Sequence, residues 1–414
     1  MQSSREFDLV VLGPTGYTGK LCAEHIVRNL PTNLKWALAG RSVPKIENVA
    51  QEIQPLNPDR TPPEILAVQL NREELHNLAQ RTKLIINCIG PYVLYSVPVV
   101  EACASNGTHY IDATGEPPFI KSVLEKYHDT AKATGAIIIP FMGVESAPAD
   151  MLSWSLVKRV REELSCHTKE VTCSIDELKS SGASGGTLST VLTLFDAVPY
   201  PELAKSLKPF ALAASPPPKT LPRESITEKL FGVRCIPDMG VLATSPTAIA
   251  DIIIVHRSST LMPEFYGPKF TFRQFVRVRN VLVGVALHFI FLIAVSLLVL
   301  PPVRMLVKQF IYMPGTGPRM EDSTRDRVQY RAVATADQDV QEPKRALGTL
   351  KYQGSLYAMT GLLMAQGAMV ILENEEKVRK VSRGGIVTPA SLGQEYADRL
   401  EAAGCYIETK ILEF

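Results

Sequence analysis

Residues 7–20 read FDLVVLGPTGYTGK and decide the fold of the first half of the chain. An apolar run at residues 9–12 leads into three glycines, and apolar side chains then recur at helical spacing through Leu30. A strand, a tight turn and a helix in this order form the first unit of a dinucleotide-binding βαβ fold. In that unit one glycine permits the turn, one lets the backbone approach a pyrophosphate, and one lets helix and strand pack closely, while the helix N-terminus faces the phosphates. The stretch therefore predicts a dinucleotide site at the turn, with a purely structural turn as the alternative; its residues are Gly13, Thr15, Gly16, Tyr17, Thr18 and Gly19.

Length and composition narrow the class of protein. A chain of 414 residues is too long for one ordinary core and indicates two domains. A net charge of +2, with no basic stripe, argues against nucleic-acid binding. The seven cysteines are scattered, without a C-x-x-C pair, which favours reduced thiols in a cytosol-facing protein and no metal site. The N-terminus is polar and then enters a strand, so we expect no signal peptide.

The second strand, predicted at residues 35–39, indicates which dinucleotide binds. Its end lies beside the adenine ribose in this fold, where an acidic residue holds a 2′-hydroxyl and an arginine accommodates a 2′-phosphate. Arg41 and Ser42 occupy this position, Lys45 follows, and residues 39–45 contain no Asp or Glu. The pattern favours NADP(H) over NAD(H); the alternative is that Arg41 is a solvated loop charge.

Further strands are predicted at residues 65–68, 83–88, 109–113 and 136–140, and they alternate with helices. This rhythm is typical of an α/β fold with a doubly wound parallel sheet. Ligands bind at the carboxyl ends of such strands, so Gly90 and Pro91 are predicted neighbours of the nicotinamide. Tyr92 and Tyr95 are candidates for the catalytic acid or the oxyanion donor, with ordinary packing as the alternative for each. Asp112 and Glu116, after the next strand, are expected to orient a ribose or to cap the following helix.

The second half has a mixed pattern. Strands are predicted at residues 170–177 and 248–255, and an antiparallel pair at 327–335 and 345–352. The last helix is predicted after Pro389, ending near Gly404. We therefore predict a Rossmann domain at residues 1–150 and an α+β substrate domain at residues 151–414.

Residues 281–300 read VLVGVALHFIFLIAVSLLVL and are long and apolar enough to span the hydrocarbon core of a bilayer. Basic residues lie on both sides of this run. A buried core helix or a homodimer contact is the alternative to membrane contact. Because blocks on both sides belong to one predicted domain, and Pro301 and Pro302 break the helix, we expect residues 281–313 to enter and leave the membrane on one face.

Several blocks together resemble the saccharopine dehydrogenase-like oxidoreductases, and most closely the trans-acting enoyl reductases of lipid and polyketide assembly. These blocks are GPTGYTGK, AGRS, GPYVLYSVPVVEACASNGTHYIDATGEPPF, MGVESAPADM, SGASGGTLSTVL, MPGTGP and GGIVTPASLG, in chain order. Two blocks depart from the family pattern: its usual cysteine and Asp-Ser pair are absent from residues 142–146, and Gly354-Ser355-Leu356-Tyr357 replaces its Asp-Pro-Gly-Tyr turn.

The resemblance implies NADPH-dependent reduction of a carbon–carbon double bond in a carrier-bound or lipid-like acyl chain. It implies an acyl substrate and a polyketide or fatty-acid synthase as partner. Together with the apolar segment, it predicts a protein on the cytosolic face of a membrane, which in a eukaryote would be the endoplasmic reticulum or a lipid droplet. Residues 181–189 are expected to face the acyl group or to form a surface turn. The alternative function is a catalytically silent, membrane-bound scaffold that binds NADP(H).

Overall fold

The computed structural model describes residues 5–182, 184–219, 221, 225–309, 316–382 and 384–413. Ala183 in the predicted loop 181–189, residues 310–313 of the predicted membrane segment, and part of the MPGTGP block lie outside the described residues.

The strands of the described chain form two sheets. They are β1 (Phe7–Leu12), β2 (Trp36–Gly40), β3 (Glu64–Ala67), β4 (Thr82–Asn87), β5 (His109–Asp112), β6 (Ile137–Ile139), β7 (Thr168–Lys179), β8 (Val233–Ile236), β9 (Gly240–Thr244), β10 (Thr271–Val278), β11 (Arg327–Ala336), β12 (Arg345–Gln353), β13 (Gly385–Ile386) and β14 (Tyr406–Ile411).

The α-helices connect and cover these strands. They are α1 (Tyr17–Asn29), α2 (Val43–Ile53), α3 (Arg72–Arg81), α4 (Tyr92–Tyr95), α5 (Val97–Asn106), α6 (Pro117–Thr134), α7 (Ala147–Leu164), α8 (Gly185–Ala197), α9 (Tyr200–Ser206), α10 (Ile226–Phe231), α11 (Ala248–Leu261), α12 (Pro263–Tyr266), α13 (Val281–Leu298), α14 (Pro301–Lys308), α15 (Met320–Ser323), α16 (Leu356–Ser382) and α17 (Gly393–Ala402).

The first sheet is parallel, with strand order β13-β6-β5-β4-β1-β2-β3. The order 3-2-1-4-5-6 within it is that of a Rossmann fold, so the doubly wound sheet predicted from the sequence is confirmed. Its central strands are buried on both faces because helices cover both sides, which explains why β1 is almost entirely apolar and why β4 is apolar at its centre.

The C-terminal half returns to this first sheet. Strand β13 pairs with β6 at one edge, and α16 packs along α1. A side chain at Gly361 of α16 would lie 2.8 Å from the backbone nitrogen of Cys22, so the absence of a side chain lets the two helices pack closely. The division into domains at residues 1–150 and 151–414 stays a prediction. In space, β13 and α16 from the second range pack with the elements of the first range.

The second sheet is mixed, with strand order β14-β12-β11-β7-β10-β9-β8. Strands β11 and β12 form the predicted antiparallel pair, while β7 and β10 are parallel. The prediction of a strand at residues 248–255 was wrong, because these residues belong to helix α11. Helix α11 packs between β10 and α7 and is buried on nearly all sides. Residues 248–255 are therefore apolar except for Asp251 and lack the one-sided helical period.

Helix α13 lies along the outside of the second sheet. Only 11% of it is buried, whereas an 18-residue stretch of α16 within Leu356–Val381 is 72% buried, although both helices are long and apolar enough to cross a membrane. Near its start a side chain at Gly284 would lie 3.0 Å from Val233 Cγ2, and His288 Nδ1 is 2.8 Å from Thr244 Oγ1. The helix is therefore held to β8 and β9 by a narrow strip, and the rest of its apolar surface is exposed.

Candidate functional site

The three glycines of the first turn have different surroundings. Gly13 has φ +86°, and a Cβ there would lie 2.6 Å from Ile89 Cγ1. A Cβ at Gly19 would overlap the carbonyl oxygen of Gly13. Gly16 has φ −77°, and its added Cβ would make only ordinary contacts, the nearest being 3.5 Å from the Gly13 oxygen. The protein itself therefore requires glycine at 13 and 19 but not at 16.

The N-terminus of α1 fits a dinucleotide pyrophosphate. Gly16 is its N-cap, and no side chain caps the helix, so the first-turn N–H groups point beyond the helix end. Thr15 is exposed, and Thr18 is half-buried at the same end. The free space at Gly16 and the uncapped helix end together form a cradle that a Cβ at residue 16 would fill.

Tyr17 joins this turn to the second half of the chain. Its phenol donates a hydrogen bond to the carbonyl oxygen of Pro318 at 2.7 Å, and its ring lies 5.0 Å from that of Tyr357, edge to face. The N–H of Ser184 donates to the Tyr357 phenol at 2.6 Å. The turn at residues 13–19 thus adjoins the loop that precedes α8 and the start of α16.

Arg41 and Ser42 lie where a 2′-phosphate is expected. Arg41 is exposed directly after β2, and no described residue accepts a hydrogen bond from its guanidinium. Ser42 is the N-cap of α2, but its side chain makes no capping hydrogen bond. A guanidinium and a hydroxyl beside an open helix end fit a phosphate dianion.

Gly90 and Pro91, joined by a cis peptide bond, follow β4 at the edge of the sheet. A Cβ at Gly90 would lie 3.6 Å from Tyr92 Cε2 and 3.8 Å from Thr190 Oγ1 of α8. Helix α8, from the second half, therefore faces the carboxyl end of β4 across a short gap.

Buried carboxylates hold this edge in place. Glu116 accepts hydrogen bonds from the N–H groups of Tyr92 and Val93, each at 2.7 Å. Its side chain therefore caps α4 and does not cap α6, the helix that begins directly after Glu116. Asp112 accepts from the Tyr110 phenol at 2.7 Å and from the Thr114 N–H at 2.9 Å. Burial raises the pKa of Asp112 to about 7. Both carboxyls are fully buried, so the ribose contact considered for them is not available in this structure.

The two predicted tyrosines differ in exposure. Tyr92 is half-buried, with its phenol oxygen 3.4 Å from both the Asn87 carbonyl oxygen and the Ala113 nitrogen, and burial raises its pKa well above the ordinary value. Tyr95 is 45% exposed at the end of α4. Their catalytic roles stay a prediction.

Sequence reasoning gave no role to a carboxylate after β6. Phe141 has φ +65°, an uncommon conformation for a residue with a side chain, and the loop that follows carries Glu145. The Tyr330 phenol of β11 donates a hydrogen bond to the Val144 carbonyl oxygen at 2.9 Å, which ties the loop to the second sheet. Glu145 is exposed, yet desolvation raises its pKa, a combination expected of a group inside a cleft. An acidic residue just after a predicted strand was the available signal.

The family assignment follows from comparison with known proteins. Residues 9–139 match the family model described as the saccharopine dehydrogenase NADP binding domain. The chain is 30% identical over 98% of both chains to a putative trans-acting enoyl reductase of Mycobacterium tuberculosis, and equally identical, with the same coverage, to the trans-acting enoyl reductase of Mycobacterium leprae. In fold it is similar to saccharopine dehydrogenase (L-Glu forming) from Saccharomyces cerevisiae, with a TM-score of 0.57 and 12% identity over 98% of this chain and 100% of that one. The chain belongs to the saccharopine dehydrogenase-like family of NADPH-dependent reductases that includes the trans-acting enoyl reductases.

Proposed function

We propose that this protein reduces the carbon–carbon double bond of a carrier-bound or lipid-like enoyl thioester, using NADPH, at a membrane surface. The observation that carries the proposal is the junction of the cofactor turn with α8 and α16 at the carboxyl edge of the first sheet. Its support from known proteins is the name of the relatives that match over nearly the full length.

The proposed cofactor residues have distinct tasks. The first-turn N–H groups and the space at Gly16 would hold the pyrophosphate, while Arg41 and Ser42 would hold the 2′-phosphate. Gly90 and Pro91 would lie against the nicotinamide, which supplies the hydride when the cofactor is bound.

The acyl group would lie between β4 and α8, because these elements come together at Gly90 and Thr190. Tyr92 and Tyr95 follow that turn, and we assign them the role of donating a hydrogen bond to the thioester oxygen, where negative charge develops during reduction. Exclusion of water from this gap would strengthen that hydrogen bond.

Membrane attachment is proposed for α13 and α14. Three side chains of α13 are among its most exposed: Leu282 at 81%, Ile290 at 64% and Ile293 at 59%. Both ends of the segment formed by α13 and α14 are attached to the rest of the protein, at Gly284 near the start and through α14 near the end. That arrangement favours a helix lying in the membrane interface over one that crosses the bilayer.

Helix α14 links the membrane surface to the proposed acyl site. Arg304 and Lys308 each bind Asp196 at the end of α8, at 2.9 Å. Thr190, which faces Gly90, lies six residues earlier on α8, or about 9 Å along the helix axis. An acyl chain reaching the nicotinamide from the membrane would therefore travel only a short distance.

The test of the reaction is NADPH oxidation with a series of enoyl thioesters of increasing chain length. We expect oxidation matched by a product two hydrogens heavier, and none with the saturated thioester. NADPH binding without consumption across the series would refute the reaction and favour the silent scaffold.

The test of attachment is flotation with phosphatidylcholine vesicles. The triple variant Leu282→Gln, Ile290→Gln, Ile293→Gln removes three exposed apolar side chains worth about 1.5–3 kcal/mol each, so binding should fall more than about 1,000-fold. A matched control replaces three exposed apolar side chains elsewhere: Tyr200→Gln, Val340→Gln, Val381→Gln. Equal flotation of both variants, or failure of the wild type to float, would refute the proposal.

A further inference from the structure

The loop after β6 lies beside the end of β5, next to Tyr92. A Cβ at Gly143 would lie 3.4 Å from the Ala113 carbonyl oxygen, and the Ala113 N–H lies 3.4 Å from the Tyr92 phenol oxygen. Glu145 is two residues beyond Gly143. Since neighbouring parallel strands are about 4.8 Å apart, the end of β6 lies about 10 Å from the end of β4.

The Glu145 carboxyl accepts no hydrogen bond and forms no ion pair within the described parts of the chain. Phe141 turns the loop outward, and the hydrogen bond from Tyr330 to Val144 fixes it. The backbone at Glu145 is therefore held in place, and its carboxyl group is available to bind a ligand.

Burial raises the pKa of the Glu145 carboxyl above its ordinary value. The Glu145 charge raises the pKa of Asp251 of α11, after the larger effect of burial. It also raises the pKa of Tyr330 of β11, after burial and the charges of Asp251 and Cys173. Asp150 of α7 and Cys173 of β7 lie beyond Asp251, and none of these groups is a cation.

Two buried oxygens of α11 and β10 lack hydrogen-bond partners among the described residues. Asp251 is fully buried and Gln274 is 3% exposed, and Asp251 Oδ1 and Gln274 Oε1 have no hydrogen-bond donor among the described residues. Unpaired buried acceptors are costly, and the Gln274 amide that donates to the other Asp251 oxygen leaves these two unpaired.

We propose that Glu145 is the catalytic residue that donates the proton to the α-carbon of the enoyl thioester; this rests on the proposed reduction. Hydride addition at the β-carbon breaks the double bond and leaves an electron pair shared by the α-carbon and the thioester oxygen. The Glu145 O–H bond then breaks, a C–H bond forms at the α-carbon, and the thioester becomes saturated as NADPH is oxidised. Because Glu145 is exposed to solvent, water restores its proton after each turnover.

The experiment uses the full chain and two independent measurements. The first is the exchange of the α-proton of the saturated acyl thioester with D₂O in the absence of NADPH, which reports the reverse of the protonation step. The second is NADPH oxidation with the enoyl thioester. Glu145→Gln should slow both about 100-fold or more and leave NADPH affinity within twofold, whereas Glu145→Asp should retain part of both rates. Glu125→Gln, an exposed carboxylate on α6, is the matched control and should change neither.

The pH profile supplies a further readout. The acid must be protonated, so kcat/KM of the wild type should fall as pH rises through the raised pKa of Glu145, and this limb should be absent from Glu145→Gln. If exchange and reduction by Glu145→Gln stay within threefold of wild type, the inference is wrong while the reductase function stands. If the wild type reduces no enoyl thioester, the proposed function fails and the inference fails with it.

Discussion

One methyl group placed at either of two neighbouring glycines should separate cofactor binding from folding. At Gly19 an added Cβ overlaps the Gly13 carbonyl and lies 3.1 Å from Pro14 Cα, both backbone atoms that cannot move cheaply. We expect Gly19→Ala to cost about 1–3 kcal/mol or more in unfolding free energy. At Gly16 the Cβ lies 3.5 Å from the nearest backbone oxygen with φ at −77°, so Gly16→Ala should leave stability within about 0.5 kcal/mol of wild type.

The same methyl at residue 16 occupies the space proposed for the pyrophosphate. Loss of one charge-assisted hydrogen bond there is worth about 1.5–3 kcal/mol, so the Kd for NADPH should rise about 10- to 150-fold. Gly16→Val, with a branched side chain, should abolish binding. The assays are thermal unfolding without ligand and titration of NADPH fluorescence. A folded Gly16→Ala protein with wild-type affinity for NADPH would refute the proposed phosphate site. Equal destabilisation by the two substitutions would refute the conclusion that folding requires glycine at residue 19 but not at residue 16.

Three further substitutions test the roles of the charged side chains Arg41, Glu116 and Asp150. Arg41→Asp should weaken NADPH far more than NADH, since only NADPH carries the 2′-phosphate; comparable losses in a titration with each cofactor would rule out this role. Glu116→Ala leaves the Tyr92 and Val93 N–H groups without their acceptor and should lower the unfolding free energy by about 2–4 kcal/mol, measured by urea denaturation. Burial raises the pKa of Asp150 to about 7 from an ordinary value of 3.8, so the folded state holds a proton that the unfolded chain releases. This contribution to stability is complete below pH 4 and is lost as pH rises through about 7, so Asp150→Asn should compare more favourably with wild type at pH 8 than at pH 5; an unchanged difference in melting temperature would contradict the shift.

The first sheet was predictable because its signals are local. Glycine spacing, buried strands and regular alternation with helices each act within about thirty residues, and β1 to β6 follow them. Helix α11 was not predictable by the same means, because burial on nearly all sides removes the polar face that reveals a helix.

The candidate site was predictable only where one chain segment forms it. The turn around Gly16 and the position of Arg41 depend on their own strand and helix. The contacts of Tyr17 with Pro318 and Tyr357, and the neighbours of Glu145 on α11 and β11, join residues far apart in the chain. No local pattern marks such contacts, so the second half of the site required the structure.

The return of β13 and α16 to the first sheet affects how the protein is synthesised. Strand β13 leaves the ribosome roughly 250 residues after β6, its neighbour in the sheet. At about 5–20 residues per second, the edge of β6 stays uncovered for roughly ten to fifty seconds, and the apolar face of α1 stays uncovered somewhat longer, until α16 emerges. An unpaired strand edge beside exposed apolar surface is prone to aggregation, so the nascent chain is a candidate client for chaperones during this interval. A ribosome-bound chain that ends before α16 should accordingly be cut by protease within α1 and β6, and one that includes β13 should resist.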